Sequence, residues 1–159
     1  CGVFRAGGAS DGRHSEGGVV GNVWCDQHVM PCVCPFGEGL ACRTFAYEHI
    51  AWEKRMAEEG KVIVKVRVRN TGRRAGKEVV QLYVSDTESS VERPGKELKA
   101  FEKVALEAGE SREVTLELDS RSFSFWDVES GDWKLEPGEF TLRAGGSSGD
   151  LPLAVSLTL

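Results

Sequence analysis

Five cysteines and a nearby histidine are the first side chains of this 159-residue chain that could do chemistry. Cys25, His28, Cys32, Cys34 and Cys42 offer soft ligands within a short span, the raw material of a zinc site. Their spacing argues against one. A structural zinc site pairs two short knuckles, whereas here only Cys32 and Cys34 are close, with one residue between them. With Cys1 the total is odd, so a complete disulfide framework is impossible. A zinc site, a partial disulfide and free thiols remain the three readings, of which free thiols fit the spacing best; no metal or other cofactor is assigned. His49, beside Tyr47 and Ile50, reads as a packed or surface histidine rather than a ligand or base. The acidic neighbours Glu58 and Glu59, Asp86 and Glu88, and Asp127 and Glu129 read as turn and solvent-face charges. The sequence holds no Ser-His-Asp set, phosphate loop or nucleotide fingerprint. Trp126, Trp133 and Tyr83 are the aromatic side chains that could stack on a sugar ring.

These residues must be positioned by a small frame. A chain of this length makes one domain of ordinary size and has no room for a catalytic barrel besides. Its formal charge of -5 provides no basic field to attract nucleic acid or an anionic membrane surface. No apolar run approaches the roughly 18 residues that a membrane span needs. Neither nucleic acid nor a membrane is therefore an expected partner. The chain opens at Cys1 without a methionine or a leader-like segment, and is expected to be a fragment or an excised piece of a longer protein; no compartment is assigned.

Up to about residue 35 the sequence is glycine- and cysteine-rich, as in "GGASDGRHSEGGVVG", and has no sustained apolar period. It is expected to be irregular. The run "YEHIAWEKRMAEEG" contains helix formers ending at Gly60, but fits equally a strand through Ile50 followed by a charged turn. From Lys61 the pattern sharpens. "KVIVKVRVRN" places Val62, Val64, Val66 and Val68 on one face, and Lys65, Arg67 and Arg69 on the other. "EVVQLYV", "ELKAFEKVAL", "REVTLELD", "SFSFWDV", "FTLRAGG" and "LPLAVSLTL" follow, separated by turn signals such as "EAGES", "ESGD" and "EPGE". About seven short strands without helical spacers predict an all-β fold, an antiparallel sandwich of immunoglobulin or fibronectin type III architecture. Val66, Leu82, Leu116 and Leu142 are expected in its core. Trp126 and Trp133, on either side of a tight turn, fit core positions across a hairpin as well as sugar platforms.

Three stretches together, "VRNTGRRAGKEVVQLYVSD", "RPGKELKAFEKVALEAGES" and "PGEFTLRAGGSSGD", resemble the fibronectin type III-like domain at the C-terminus of glycoside hydrolase family 3 enzymes of the β-glucosidase type. The stretch "PFGEGL" followed by a threonine and Phe45 is similar to the lead-in to that domain. Pro35, Phe36, Gly37, Gly39, Leu40 and Phe45 are accordingly expected to form a hinge and docking segment, its glycines allowing a tight backbone path and Phe36, Leu40 and Phe45 acting as apolar anchors. Upstream, "SEGGVVGNVWCDQHVMPCVCPFG" resembles the family's connection, with His14, Asn22, Cys25 and Cys42 where tyrosine is usual, Cys34 where phenylalanine is usual and Val23 where arginine is usual. The resulting division is an irregular linker remnant over 1–34, a hinge and lead-in over 35–59, and the sandwich over 60–159, with the stable core beginning near Phe45 or later.

The resemblance implies a parent enzyme that hydrolyses β-glucosides by the retaining route, with two carboxyl groups about 5 Å apart. In the family both carboxyl groups lie upstream of this region, and Glu16 in "SEGG" falls after the catalytic glutamate. No catalytic residue is therefore expected here. The chain reads as an ancillary structural module that packs on catalytic domains of the same or a parent polypeptide. A carbohydrate-binding module using its exposed aromatics, and a free-standing adhesion domain, are the alternatives.

Overall fold

The computed structural model describes residues 22–27, 34–39, 44–55, 61–86 and 93–159. Nine strands dominate them: β1 Phe45–Arg55, β2 Lys61–Asn70, β3 Gly76–Asp86, β4 Glu97–Leu106, β5 Ser111–Leu118, β6 Ser124–Asp127, β7 Asp132–Leu135, β8 Glu139–Gly145 and β9 Leu153–Thr158. One sheet has the order β1-β2-β5, the other β4-β3-β8-β9, and β6 and β7 form a separate hairpin. Every pairing is antiparallel. This is the expected sandwich.

The valine row of β2 explains why. Val62, Val64, Val66 and Val68 are fully buried, and their partners across the ladder are Leu118, Leu116, Val114 and Arg112. β-Branched side chains at period 2 suit a pleated surface with one dry face. Val80, Leu82 and Val84 of β3 meet that face from the second sheet, together with Leu142 and Phe140 of β8. All four expected core residues, Val66, Leu82, Leu116 and Leu142, lie in this cluster.

Three local readings change. The ambiguous run after Phe45 is a strand that continues to Arg55 and pairs with β2 along its length, so the span expected to be hinge and lead-in contains a strand of the sandwich. Phe45, Tyr47, Ile50 and Trp52 pack against the core from β1, and this burial outweighs the helix propensity of the following charged residues. Upstream, where irregular chain was expected, Asn22–Gln27 forms a helical turn, α1. Finally, "SFSFWDV" is not one strand. Asp119 accepts a hydrogen bond from the Ser122 amide at 2.9 Å and caps a 3-10 turn over Ser120–Phe123, which buries Phe123 before β6 begins.

Two polar arrangements lock the ends of the sandwich. Asn70 is fully buried: its Nδ2 donates to the carbonyls of Arg74 at 2.9 Å and Leu106 at 3.1 Å, and its Oδ1 accepts from the Gly72 amide at 2.9 Å. One side chain thus joins the β2–β3 turn to the end of β4. At the open edges the Trp52 indole N–H donates to the Ser156 carbonyl at 3.0 Å, tying β1 of one sheet to β9 of the other.

Candidate functional site

β3 is buried on both faces from Val80 to Ser85, which a surface sheet cannot achieve without a cover on its outer side. The lead-in and α1 provide that cover. The Ser148 amide donates to the Phe36 carbonyl at 2.8 Å, and Lys96 reaches both Asp26 of α1, at 3.3 Å, and the Ser148 carbonyl, at 2.7 Å. Gly37 has a φ of +82° and its Cα lies directly against the Gln81 amide group, leaving no room for a Cβ. Gly149 is equally constrained, since a Cβ there would stand 2.5 Å from Pro35 Cγ. Gln81 is itself held, donating to the Gly146 carbonyl at 2.6 Å and accepting from the Tyr83 hydroxyl at 2.7 Å. The result is a clasp in which residues 34–39 are fastened to β3 and to the loop after β8.

The expected hinge residues divide on this clasp. Pro35, Gly37 and the Phe36 backbone form the fastening; Phe45 packs at the edge of the core as the first residue of β1. The Phe36 side chain is not a buried anchor within this chain, being 53% exposed. Gly39 has open space around it, and Leu40 lies outside the described residues. Val79 and Phe101 on the outer face of β3 and β4 are further large apolar side chains left exposed.

The aromatic candidates divide too. Tyr83 is 3% exposed, with its hydroxyl bonded to Gln81, and offers no ring face to a sugar; burial, then the Asp26 charge, raises its pKa. Trp126 and Trp133 are directly opposite across the β6–β7 hairpin, but are 51% and 44% exposed rather than core residues. Phe125, on the opposite face of the hairpin, takes the buried position instead. The two indoles meet edge to face with centroids 5.8 Å apart, and the Arg121 guanidinium lies 4.4 Å from the centre of the Trp133 ring.

Beside the hairpin stands an ion pair that the sequence pattern hides. Arg93, in the charged "RPGKE" stretch, donates to Asp86 and Glu97 at 2.9 Å each and lies within 3.5 Å of the Ser124 carbonyl. Asp86, read from sequence as a turn or solvent-face charge, has a side chain only 6% exposed. Only the tertiary approach of β3, β4 and β6 around one guanidinium gives it that environment. Asp127 keeps its expected turn role, with Ser130 and the Glu129 amide bonded to its carboxylate and holding its pKa down. Cys25 is buried and Cys34 exposed, while Cys1, His28, Cys32 and Cys42 lie outside the described residues, as do Glu16, Glu58, Glu59 and Glu88. Among the described residues no cluster of three or more His, Cys, Asp or Glu side chains could hold a metal ion. His49 is exposed on β1.

The family model described as "Fibronectin type III-like domain" matches residues 78–148. A thermostable beta-glucosidase B from Acetivibrio thermocellus is 44% identical over 146 residues, 91% of this chain and 19% of that protein. The chain is a fibronectin type III-like domain of the glycoside hydrolase family 3 type. The structure of a family 3 beta-glucosidase from Bifidobacterium adolescentis superposes on this fibronectin type III-like domain with a TM-score of 0.85 at 39% identity, covering 91% of this chain and 21% of that one. An exo-alpha-(1->6)-L-arabinopyranosidase from Bifidobacterium breve is 38% identical over 92% of this chain and 19% of its own length. The domain thus spans about a fifth of the length of the relatives it matches, and relatives with two different glycosidase names share it.

Proposed function

We propose that this domain is an ancillary structural module of a longer family 3 β-glucosidase, packing on the catalytic domains and stabilising them without supplying a catalytic residue. The clasp carries the reading. A lead-in fastened through Phe36, Gly37 and Pro35 fixes the direction in which preceding chain leaves the sandwich, so whatever precedes it is oriented rather than loosely tethered. Phe36, Val79 and Phe101 sit on or beside the same outer face as apolar side chains still open to solvent, suited to cover by a neighbouring domain. The carboxylates near these features are engaged structurally: Glu78 with Tyr47, Asp86 and Glu97 with Arg93, and Asp127 with its own turn. Retaining hydrolysis needs one carboxylate available as a nucleophile and a second as acid and base.

Two measurements test this. The purified chain is expected to release no nitrophenol from an aryl β-glucoside, and deleting the matched region from the intact Acetivibrio thermocellus relative is expected to lower its melting temperature or soluble yield. Turnover by the isolated chain, abolished by changing one of its acidic residues, would overturn the first part. A deletion variant as stable and soluble as the intact relative would overturn the second.

A further inference from the structure

The β6–β7 hairpin presents two half-exposed tryptophans beside a groove of about 670 Å³. Its shape is fixed from both sides. Phe125 anchors the hairpin in the domain, the Gly131 amide donates to the Asp127 carbonyl at 2.9 Å, and Gly131 takes a φ of +65° that closes the turn. Arg121 braces the Trp133 ring, and Trp126 stands against that ring at 76°. The indoles are therefore held in place before any ligand arrives, which removes much of the ordering cost of binding.

The groove's chemistry narrows the ligand class. It is lined by both indoles, by three acids, Glu97, Asp127 and Glu129, and by three bases, Arg93, Lys99 and Lys134, so its charges balance. A phosphate-bearing ligand needs a positive excess that is absent here. A neutral polyhydroxyl ligand does not. A pyranose with equatorial hydroxyls has apolar C–H faces that fit an indole and a rim of hydroxyls that both donate and accept, matching a floor of tryptophan edged by carboxylates and ammonium groups. We propose that the groove at Trp126 and Trp133 binds oligosaccharides of such pyranoses, with Trp126, the more exposed indole, as the platform and Trp133 as the wall. The site is separate from the clasp, so it stands or falls independently of the docking proposed above.

The test is titration of the full chain with cellohexaose and with laminarihexaose, followed by tryptophan fluorescence and calorimetry. At least one is expected to bind saturably with a Kd of about 1 mM or tighter, weakened about tenfold or more in Trp126→Ala. Glu113→Ala, exposed on β5 and outside the groove, is expected to bind as the unaltered chain does. Trp126→Phe, which keeps an aromatic face, should retain part of the affinity even if Trp126→Ala proves poorly folded. No saturable binding of either sugar overturns the proposal, as does binding that survives Trp126→Ala in a folded protein. A longer relative that loses stability on changing its Trp126 counterpart, while the chain binds neither sugar, would make the hairpin a protein contact instead.

Discussion

Tyr47 on β1 donates its hydroxyl hydrogen to Glu78 on β3 at 3.0 Å, joining the two sheets across the end of the sandwich. The contact lies where Gly146 approaches closely, since a Cβ on that glycine would stand 2.7 Å from the Glu78 carboxylate. Burial raises the Glu78 pKa above its ordinary value of 4.5; the Tyr47 hydrogen bond pulls it back in part, and the Asp150 charge adds to the rise. The Tyr47 hydroxyl is also shifted upward, by burial first and by Glu78 second.

A pH dependence follows from that shift. Because the folded state holds the Glu78 proton more tightly than the unfolded state, the native protein binds more protons from pH 4.5 upward through the raised pKa, and stability falls across that window. Glu78→Gln keeps an acceptor for Tyr47 without the charge. It is expected to match the unaltered protein at acid pH and to exceed its melting temperature at neutral pH; the reverse order at pH 7 would contradict the assignment. Tyr47→Phe is expected to cost about 1.5–3 kcal/mol at neutral pH by removing a hydrogen bond to a charged group.

Asn70 offers a second test. Asn70→Ala removes three hydrogen bonds from a fully buried position and leaves the Gly72 amide and two carbonyls to find other partners. A loss of about 2–3 kcal/mol in chemical denaturation is expected. Asn70→Asp places a carboxylate against the carbonyls of Arg74 and Leu106, so its loss should be greater at pH 7 than at pH 4.

The clasp predicts a local effect. Gly37→Ala puts a side chain where the Gln81 amide lies and strains a left-handed backbone, at a cost of about 1–3 kcal/mol if the segment stays docked. Undocking is the cheaper response. Limited proteolysis should therefore cut the altered chain faster near residues 34–39, while the urea midpoint of the sandwich changes little. Unchanged cleavage would mean that the clasp does not hold residues 34–39 to the sheet.

Truncating the central leucines should do the opposite. Leu82→Ala, Leu116→Ala and Leu142→Ala are each expected to lower global stability by about 2–5 kcal/mol, and Val66→Ala by somewhat less, measured by denaturant unfolding. Their side chains lie in one cluster between the two sheets.

By itself the sequence determined the sandwich, its main strands and its core, because alternation at period 2 is written in consecutive residues: the row from Val62 to Val68 can bury one face only as a strand. The turn role of Asp127 was legible for the same reason, since it depends on neighbours close along the chain. What came only from tertiary structure depends on residues far apart. Asp86 is buried because Arg93 and β6 close over it, and Tyr83 is covered because α1 and the lead-in return across β3. β1 extends to Arg55 because β2 offers a complete ladder, whatever the helix propensity of "AWEKR". Trp126 and Trp133 fitted core or surface equally well as letters; Phe125, one position away on the opposite face of the hairpin, fills the buried site and leaves both indoles to the solvent. Periodicity assigns residues to faces, but which face is covered is decided by what the rest of the chain brings against it.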